Sequence, residues 1–363
     1  MAVAFKEYLR GLEPYTPAPS IEAIKRKYGL PGVVKLAGNE NNHGPSPRIA
    51  EALIDAQREL SCYPDMSVGL LGEAIADRHG VRVEEIAFGN GSFSLISLIA
   101  QIFLAPGDEA IIPSPSFNWY RVASMSAGAA PASVPLKQDK IDLDGILRRI
   151  TPKTKVIWIC NPNNPTGGLI ESGELADFLK KTPDGVLVVL DEAYIDYVTE
   201  GSAPRSPELI RKHPNIIALR TFSKVYSLAS MRVGYALASE ENARMMRRVQ
   251  QPPAVSTYAQ MAALAAFSDL DHYRYVVSEN KRGREQYYSG LASLSCAYVP
   301  TQANFILFDT GLDSDETKEK YARGGVLLRA GSEFGYPTRL RVTIGRPEEN
   351  QLVLEMLKGF MRK

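Results

Sequence analysis

Short apolar runs alternate with helical stretches between about residues 85 and 240. The runs are EIAFGN, EAIIPS, KVIWICN, GVLVVLDEAY, NIIALRTFSK and RVGYALAS. Residues 186–190 are apolar at every position, which is typical of a parallel strand covered by helices on both faces. The pattern therefore predicts an α/β fold whose core is a mainly parallel sheet between helices.

The pattern changes after about residue 255. A long amphipathic helix, DHYRYVVSENKRGREQYYSGLASL, precedes three strand-like runs, ANFILFDT, GVLLRA and LRVTIG, which predict a smaller α+β domain that closes over the first. The first 45 residues are rich in Pro and Gly and indicate an arm that wraps onto another part of the molecule. Since 363 residues exceed what one core usually supports, we expect a large domain at 46–250, with an N-terminal arm at 1–45 and a small domain at 251–363.

Charge and composition restrict the choice of partners. Lysine and arginine number 42 against 41 acidic residues, so the net charge of +1 gives no general attraction to nucleic acid or membranes. Small molecules or a second copy of the chain are the expected partners. The three cysteines are odd in number and lack C-x-x-C spacing, so neither a disulfide framework nor a metal site is expected. The N-terminal sequence shows no signal peptide, which favours a cytoplasmic location.

Polar residues follow several of the predicted strands, at the sheet edge where open α/β sheets bind ligands. Asp191 comes after five apolar residues, so its carboxylate needs a cation or a helix-capping role. Asn164 lies in NPNNPTGG, which is either a surface turn or an exposed amide. The apolar helix that begins at Gly91 could hold a phosphate at its N-terminus or start with an ordinary serine cap. Lys224 alone would be taken for a surface charge.

Together these residues fit one kind of ligand, a planar aldehyde cofactor that carries a phosphate. Such a cofactor needs an amine for a covalent link, an acid at its ring nitrogen, an aromatic against its face and a phosphate site. The motifs GLEPYTP, KLAGNENNHGPSP, CYPD, NPNNPTG, LDEAYIDY, RTFSKVYSLASMRVGYA, ANFIL and LRVTIG occur in that order. In this the chain resembles the histidinol-phosphate aminotransferases, enzymes of fold type I that use pyridoxal 5'-phosphate.

The resemblance implies roles for the residues around the cofactor ring. Lys224 would bind the cofactor covalently and then move the proton at the substrate Cα. Asp191 would pair with the pyridine nitrogen, Asn164 and Tyr194 would hydrogen-bond the ring oxygen, and Phe117 would stack on the ring.

The resemblance also implies anion sites. The residues that would hold the cofactor phosphate are Gly91, Ser92, Phe93, Ser223, Arg232 and, from the second subunit of a homodimer with shared active sites, Tyr63. Arg341, with Arg329 and Tyr15, would bind the acidic end of the substrate. Arginine suits both sites because its planar fork binds two oxygens at once.

Some positions depart from the family pattern and leave the substrate open. They are Asn42, His43, Phe93, Ser94, Ser227 and Ser230. An aminotransferase that takes histidinol phosphate and 2-oxoglutarate is expected first. The alternatives are an aromatic amino acid aminotransferase, a decarboxylase similar to the threonine-phosphate enzymes, whose CYPD motif is similar, and a regulator that joins this fold to a DNA-binding domain. The near-zero charge and the lack of a helix-turn-helix extension disfavour the last.

Overall fold

A computed structural model describes residues 4–12 and 20–361 of the chain. The helices are α1 (Ile21–Tyr28), α2 (Arg48–Ala56), α3 (Gly69–His79), α4 (Gly91–Phe103), α5 (Trp119–Ser126), α6 (Leu143–Arg149), α7 (Ser172–Lys181), α8 (Ser206–Lys212), α9 (Glu240–Val249), α10 (Thr257–Ser268), α11 (Leu270–Ser293), α12 (Ser314–Arg323) and α13 (Pro347–Met361). The strands are β1 (Val34–Lys35), β2 (Ile86–Asn90), β3 (Glu109–Ser114), β4 (Ala130–Pro135), β5 (Thr154–Cys160), β6 (Leu187–Asp191), β7 (Ile216–Thr221), β8 (Val233–Ala238), β9 (Phe305–Asp309), β10 (Val326–Leu327), β11 (Arg329–Ala330) and β12 (Arg339–Thr343).

The large sheet has the strand order β2-β8-β7-β6-β5-β3-β4. The pairs from β7 to β4 are parallel, whereas β8 runs antiparallel to both β7 and β2. The predicted mainly parallel sheet between helices is therefore confirmed, with β8 as the antiparallel strand. The edge strand β4 was not predicted, because its sequence APASVP contains two prolines and no continuous apolar run.

Both faces of the large sheet are buried, as the apolar runs predicted. On β6, Val188 and Leu190 belong to one apolar cluster, while Leu187 and Val189 belong to the cluster on the opposite face. Side chains of a strand alternate between faces, so each run supplies both layers at once. Burial of one such side chain stabilises the fold by roughly 1.5–3 kcal/mol. The carboxyl ends of β5, β6 and β7 are thereby fixed side by side.

A smaller apolar core lies among the C-terminal elements. The strands β11, β12 and β9 form an antiparallel sheet, and β1 pairs in parallel with β10. The core includes Tyr287 of α11, Phe308 of β9 and Leu357 of α13. Leu36 is completely buried in the same cluster, so the chain after α1 packs with the C-terminal elements although it is distant in sequence.

Two helices after residue 250 bear on the division into domains. Ala262 and Ala263 of α10 are fully buried in the core of the large sheet, where α10 contacts α2 and α3. The helix α11 contributes Val276 to that core and Leu291 to the smaller one. We therefore propose that the large domain extends through α10 and that α11 connects the two cores. Across the described ranges, no helix is both long and apolar enough to span a membrane.

Candidate active site

A cavity of about 440 Å³ lies between the carboxyl ends of the parallel strands and the smaller sheet. The predicted site residues that line it are Ser92, Phe93, Phe117, Asn164, Asp191, Tyr194, Ser223, Lys224, Arg232, Arg329 and Arg341. Its position follows from the parallel topology, because the polar residues that end β5, β6 and β7 are brought to one edge. Tyr15 lies outside the described residues, and Tyr63 is on the surface with 84% exposure.

Asp191 is the acidic group of the cavity and is only 4% exposed at the end of β6. Its Oδ2 accepts a hydrogen bond from the Tyr120 hydroxyl at 2.7 Å, and its Oδ1 accepts one from the backbone N–H of Ala193 at 3.1 Å. Burial raises the pKa of Asp191 to about 6, although both hydrogen bonds favour the charged form. No described residue forms an ion pair with this carboxylate, so it is suited to a cationic ligand atom.

Tyr120 was missed by the sequence reasoning. It lies on α5, is fully buried, and stacks on Trp158 with ring centroids 5.3 Å apart. The only local signal was its proximity to Phe117, which is not enough to place it beside a carboxylate 71 residues away in the chain. Its hydroxyl fixes the orientation of Asp191.

Lys224 is half-buried just after β7, in the same cavity. Its Nζ donates a hydrogen bond to the Gly38 carbonyl at 3.2 Å and lies 5.5 Å from the centre of the Tyr194 ring. Burial, with the positive charges of Arg341 and Arg232, lowers the pKa of Lys224 to about 8, while Glu40 acts in the opposite direction. At pH 7 roughly a tenth of the amine is therefore uncharged and nucleophilic, far more than for an ordinary lysine.

Asn164 and Tyr194, which follow β5 and β6, are held by hydrogen bonds from Arg341 and Asn39. The Arg341 guanidinium donates to Asn164 Oδ1 at 2.6 Å and to the Ala37 carbonyl at 2.8 Å. The Tyr194 hydroxyl accepts from Asn39 Nδ2 at 3.1 Å, and burial raises the pKa of this phenol. Asn39 is a second site residue that the sequence reasoning missed. The amide of Asn164 and the phenol of Tyr194 are thus held in fixed orientations toward the cavity.

The first turn of α4 and the Arg232 guanidinium form a cup for an anion. Gly91 begins the helix with φ of +73°, and a Cβ at this position would overlap with the Arg232 guanidinium. The Arg232 Nη1 donates to Ser223 Oγ at 3.3 Å. Backbone N–H groups at a helix N-terminus, a serine hydroxyl and a guanidinium are all donors that bind phosphate oxygens.

Aromatic rings form another part of the cavity lining. Phe117 meets Phe93 edge to face at 5.7 Å, and Phe93 lies against Trp119 with centroids 4.2 Å apart. Of the positions that depart from the family pattern, Phe93 lines the cavity, whereas Ser227 and Ser230 do not. His43 also lies outside the lining and packs edge-on against Tyr275.

The smaller sheet contributes two arginines to the cavity lining, on adjacent strands. Arg329 of β11 and Arg341 of β12 are directly opposite in the antiparallel register. Arg341 is 5% exposed, and Arg329 forms an ion pair with Glu333 at 3.2 Å. Such a pair of guanidinium groups is suited to a doubly charged anion.

The donor set fits pyridoxal 5'-phosphate group by group. An amine, a buried carboxylate, an oriented amide and phenol, an aromatic wall and an anion cup all line one cavity. A metal is not needed for this chemistry, and in the described ranges no group of three or more His, Cys, Asp and Glu side chains is placed to hold one.

Comparison with known proteins identifies the family. Residues 31–357 match the aminotransferase class I and II family. The chain belongs to this family. It is 40% identical over 358 residues to the histidinol-phosphate aminotransferase of Geobacillus sp. strain WCH70, and this alignment covers 99% of this chain and 98% of the relative. It is 41% identical to that of Moorella thermoacetica, which covers 98% of this chain and 92% of the relative.

A solved structure agrees with the sequence relatives. The histidinol-phosphate aminotransferase of Sinorhizobium meliloti in complex with pyridoxal-5'-phosphate superposes with a TM-score of 0.89 at 25% identity. The match covers 99% of this chain and 97% of that one. The likeness therefore includes both the large sheet and the smaller C-terminal sheet of this aminotransferase.

Proposed function

We propose that this aminotransferase uses pyridoxal 5'-phosphate to move the amino group of histidinol phosphate to 2-oxoglutarate. The observation that supports this most strongly is that Lys224, Asp191 and the anion cup around Arg232 line one cavity, opposite Arg329 and Arg341. Relatives that this chain matches over more than 90% of their length carry the name histidinol-phosphate aminotransferase.

The roles we assign follow from the contacts of each residue. The bound cofactor supplies an electron sink for the electrons that remain when the substrate Cα loses its proton. Lys224 is the base for that proton, since its lowered pKa of about 8 leaves the amine partly neutral at working pH. Asp191 holds a proton on the pyridine nitrogen, and Tyr120 keeps the carboxylate aligned with it. Asn164 and Tyr194 would hydrogen-bond the ring oxygen, and Phe117 would pack against the ring.

The substrate is assigned from the charge of the wall formed by Arg329 and Arg341. A phosphate monoester carries close to two negative charges at neutral pH, and 2-oxoglutarate also carries two, so one site serves both half-reactions. Glu333 neutralises part of the charge on Arg329, which leaves Arg341 as the principal anion ligand.

Replacement of Arg341 by alanine is expected to raise the KM for both substrates together. The buried anion would lose its charge partner, which costs roughly 2 to 5 kcal/mol. Steady-state kinetics with histidinol phosphate and with 2-oxoglutarate measure the effect. Because Arg341 also orients Asn164 at 2.6 Å, cofactor affinity is measured alongside.

The matched control for that experiment is Arg339→Ala on the same strand. Arg339 forms an ion pair with Asp139 at 2.8 Å and does not line the cavity, so both KM values should stay close to wild type. Unchanged KM values in Arg341→Ala would show that the anion site lies elsewhere.

The proposed homodimer with shared sites rests on a surface between α2 and α3. Four large apolar side chains on this surface are 54 to 72% exposed; they are Ile54, Leu60, Met66 and Leu70. Exposed large apolar side chains concentrated in one segment of the chain favour a protein interface there. Tyr63 lies between Leu60 and Met66 in the chain and is 84% exposed, and its neighbours Cys62 and Pro64 line a cavity together with Arg232. We infer that Tyr63 donates to the cofactor phosphate of the partner subunit.

Subunit mixing tests this arrangement. Tyr63→Ala is expected to weaken cofactor binding about 10- to 100-fold, the effect of one lost hydrogen bond to a charged group. In a hybrid of Tyr63→Ala and Lys224→Ala subunits, a shared site leaves one cavity with both residues intact, so cofactor affinity and partial activity return. Failure of the hybrid to recover would show that Tyr63 acts within its own subunit, and a monomer in light scattering would exclude the shared site.

A cytoplasmic location is part of the proposal. The structure leaves Cys62, Cys160 and Cys296 as free thiols, which suits a reducing compartment. Burial raises the pKa of the Cys160 thiol, so this thiol beside the cavity stays protonated and unreactive.

A panel of amino donors with 2-oxoglutarate is the experiment that tests the function. Histidinol phosphate is expected to have the highest kcat/KM, with glutamate as the product that is measured. A strong preference for phenylalanine or tyrosine would replace the donor but keep the aminotransferase. Release of carbon dioxide from threonine phosphate without glutamate would instead identify a decarboxylase.

A further inference from the structure

Glu40 is a charged residue of the cavity for which the proposed reaction gives no role. Its Oε1 pairs with Lys35 Nζ at 2.5 Å, and both residues line the cavity with Lys224. Its Oε2 is buried and has no hydrogen-bond partner among the described residues. A buried carboxylate oxygen without a hydrogen bond is costly, which calls for an explanation.

The backbone around Glu40 is fixed by the smaller sheet. Asn39 N–H donates to Thr343 Oγ1 at 3.0 Å, and Asn304 Nδ2 donates to the Asn39 carbonyl at 3.1 Å. The carboxylate folds back over Gly38, where a Cβ would overlap with it. Because the Gly38 carbonyl is also the acceptor for Lys224 Nζ, the Glu40 carboxylate and the Lys224 amine are held near the same point.

The charges that act on the Lys224 amine come from several elements. The negative ones are Glu40 on the segment after β1 and Asp191 at the end of β6. The positive ones are Arg341 on β12 and Arg232 before β8. Of the two carboxylates, Glu40 favours the protonated Lys224 amine more strongly than Asp191 does. The Tyr194 ring also faces the amine, at 5.5 Å.

We propose that Glu40, with its charge partly offset by Lys35, is a positioning residue that packs on Gly38, whose carbonyl binds the Lys224 amine, and that its charge sets the fraction of the free amine that is protonated. Arg232 and Arg341 are needed to bind the anionic groups of the cofactor and the substrate, but their positive charges favour the neutral form of the Lys224 amine. The negative charge of Glu40 counteracts this effect. Lys35 limits this effect, since its ammonium removes part of the carboxylate charge. The proposal rests on the assignment of Lys224 as the proton-transferring amine.

The test is the protonation of Lys224 in full-length protein that has been freed of cofactor with hydroxylamine. Lysines are acetylated competitively between about pH 6 and about pH 10, and the Lys224 peptide is quantified by mass spectrometry. Glu40→Gln is expected to lower the midpoint by about 1 pH unit, the effect of one nearby opposite charge. Lys35→Met is expected to raise it, because it leaves the Glu40 charge uncompensated. The double variant should lie between the two.

Matched controls come from an exposed pair on α1, Glu22 and Lys25, at 3.1 Å. Glu22→Gln and Lys25→Met make the same chemical changes outside the cavity lining and should leave the midpoint unchanged. In the holoenzyme, the pH at which the visible absorption of the bound cofactor changes should shift in the same directions as in the cofactor-free protein.

Opposite shifts in Glu40→Gln and Lys35→Met support the proposal, because a purely structural role would not reverse sign. Shifts in the same direction, or none in either variant, overturn it. Failure of the proposed function can be distinguished from failure of this inference. In the first case the cofactor would be bound to another lysine, while the acetylation midpoint of Lys224 would still respond to Glu40.

Discussion

Replacement of Lys224 by alanine is expected to reduce turnover by at least about four orders of magnitude. A positioned base alone contributes typically ~10²–10⁴-fold, and Lys224 is also the proposed covalent anchor of the cofactor. No other lysine replaces it, since Lys35, the second lysine of the described cavity lining, is paired with Glu40 at 2.5 Å. Single-turnover absorbance changes on mixing with the amino donor measure the loss.

The covalent role of Lys224 has its own measurement. Borohydride reduction of the wild-type holoenzyme, followed by peptide mapping, is expected to place the pyridoxyl label on Lys224. Lys25→Ala is the control, because Lys25 lies on α1 away from the cavity and its loss should change neither label nor rate. Label on a different lysine, or normal turnover in Lys224→Ala, would contradict the assignment.

Replacement of Asp191 by asparagine is expected to leave cofactor binding largely intact and to lower turnover by several orders of magnitude. A neutral amide cannot keep the pyridine nitrogen protonated, so the cofactor becomes a poor electron sink. The contacts proposed for the phosphate and the ring do not involve the carboxylate, so binding is expected to persist. Cofactor affinity and the rate of Cα proton exchange with solvent are measured separately. A nearly normal exchange rate would show that Asp191 is structural.

Tyr120→Phe gives a graded control for the Asp191 experiment. It removes the 2.7 Å hydrogen bond but keeps the ring stacked on Trp158, so the carboxylate remains and is held less firmly. A loss of about 10-fold in turnover is expected from one hydrogen bond to a charged group. A loss as large as that of Asp191→Asn would assign the main role to the phenol.

The same carboxylate makes a prediction about stability. The pKa of Asp191 is raised in the fold to about 6 from 3.8, so the fold favours its neutral form. The contribution of Asp191 to the stability of the cofactor-free protein therefore falls as pH rises from about 4 to about 6 and stays lower above that. Without cofactor, Asp191→Asn should accordingly be more stable than wild type at pH ~8, by on the order of 2 to 3 kcal/mol. Urea unfolding of both proteins at about pH 4 and pH 8 measures the difference, which should disappear at the lower pH.

The sequence by itself determined six of the seven strands of the large sheet, all but β4, and the polar residues at the ends of several of them. Runs such as residues 186–190 are apolar on both faces, and this pattern is local, so it predicted buried parallel strands before any packing was known. Asp191 was found for the same reason, because it directly follows such a run, whereas Lys224 was singled out by the motif RTFSKVYSLASMRVGYA and its resemblance to the family.

Only the tertiary structure decided which distant side chains complete the cavity. Tyr120 reaches Asp191 across 71 residues, Asn39 reaches Tyr194 across 155, and Lys224 reaches Gly38 across 186. These contacts depend on how the helices and the N-terminal segment pack against the sheets. The order of polar residues along the chain does not reveal this packing. The position of α10 against the core of the large sheet also depends on tertiary packing. An alanine-rich helix can pack against any apolar surface, so its sequence does not show which core it joins.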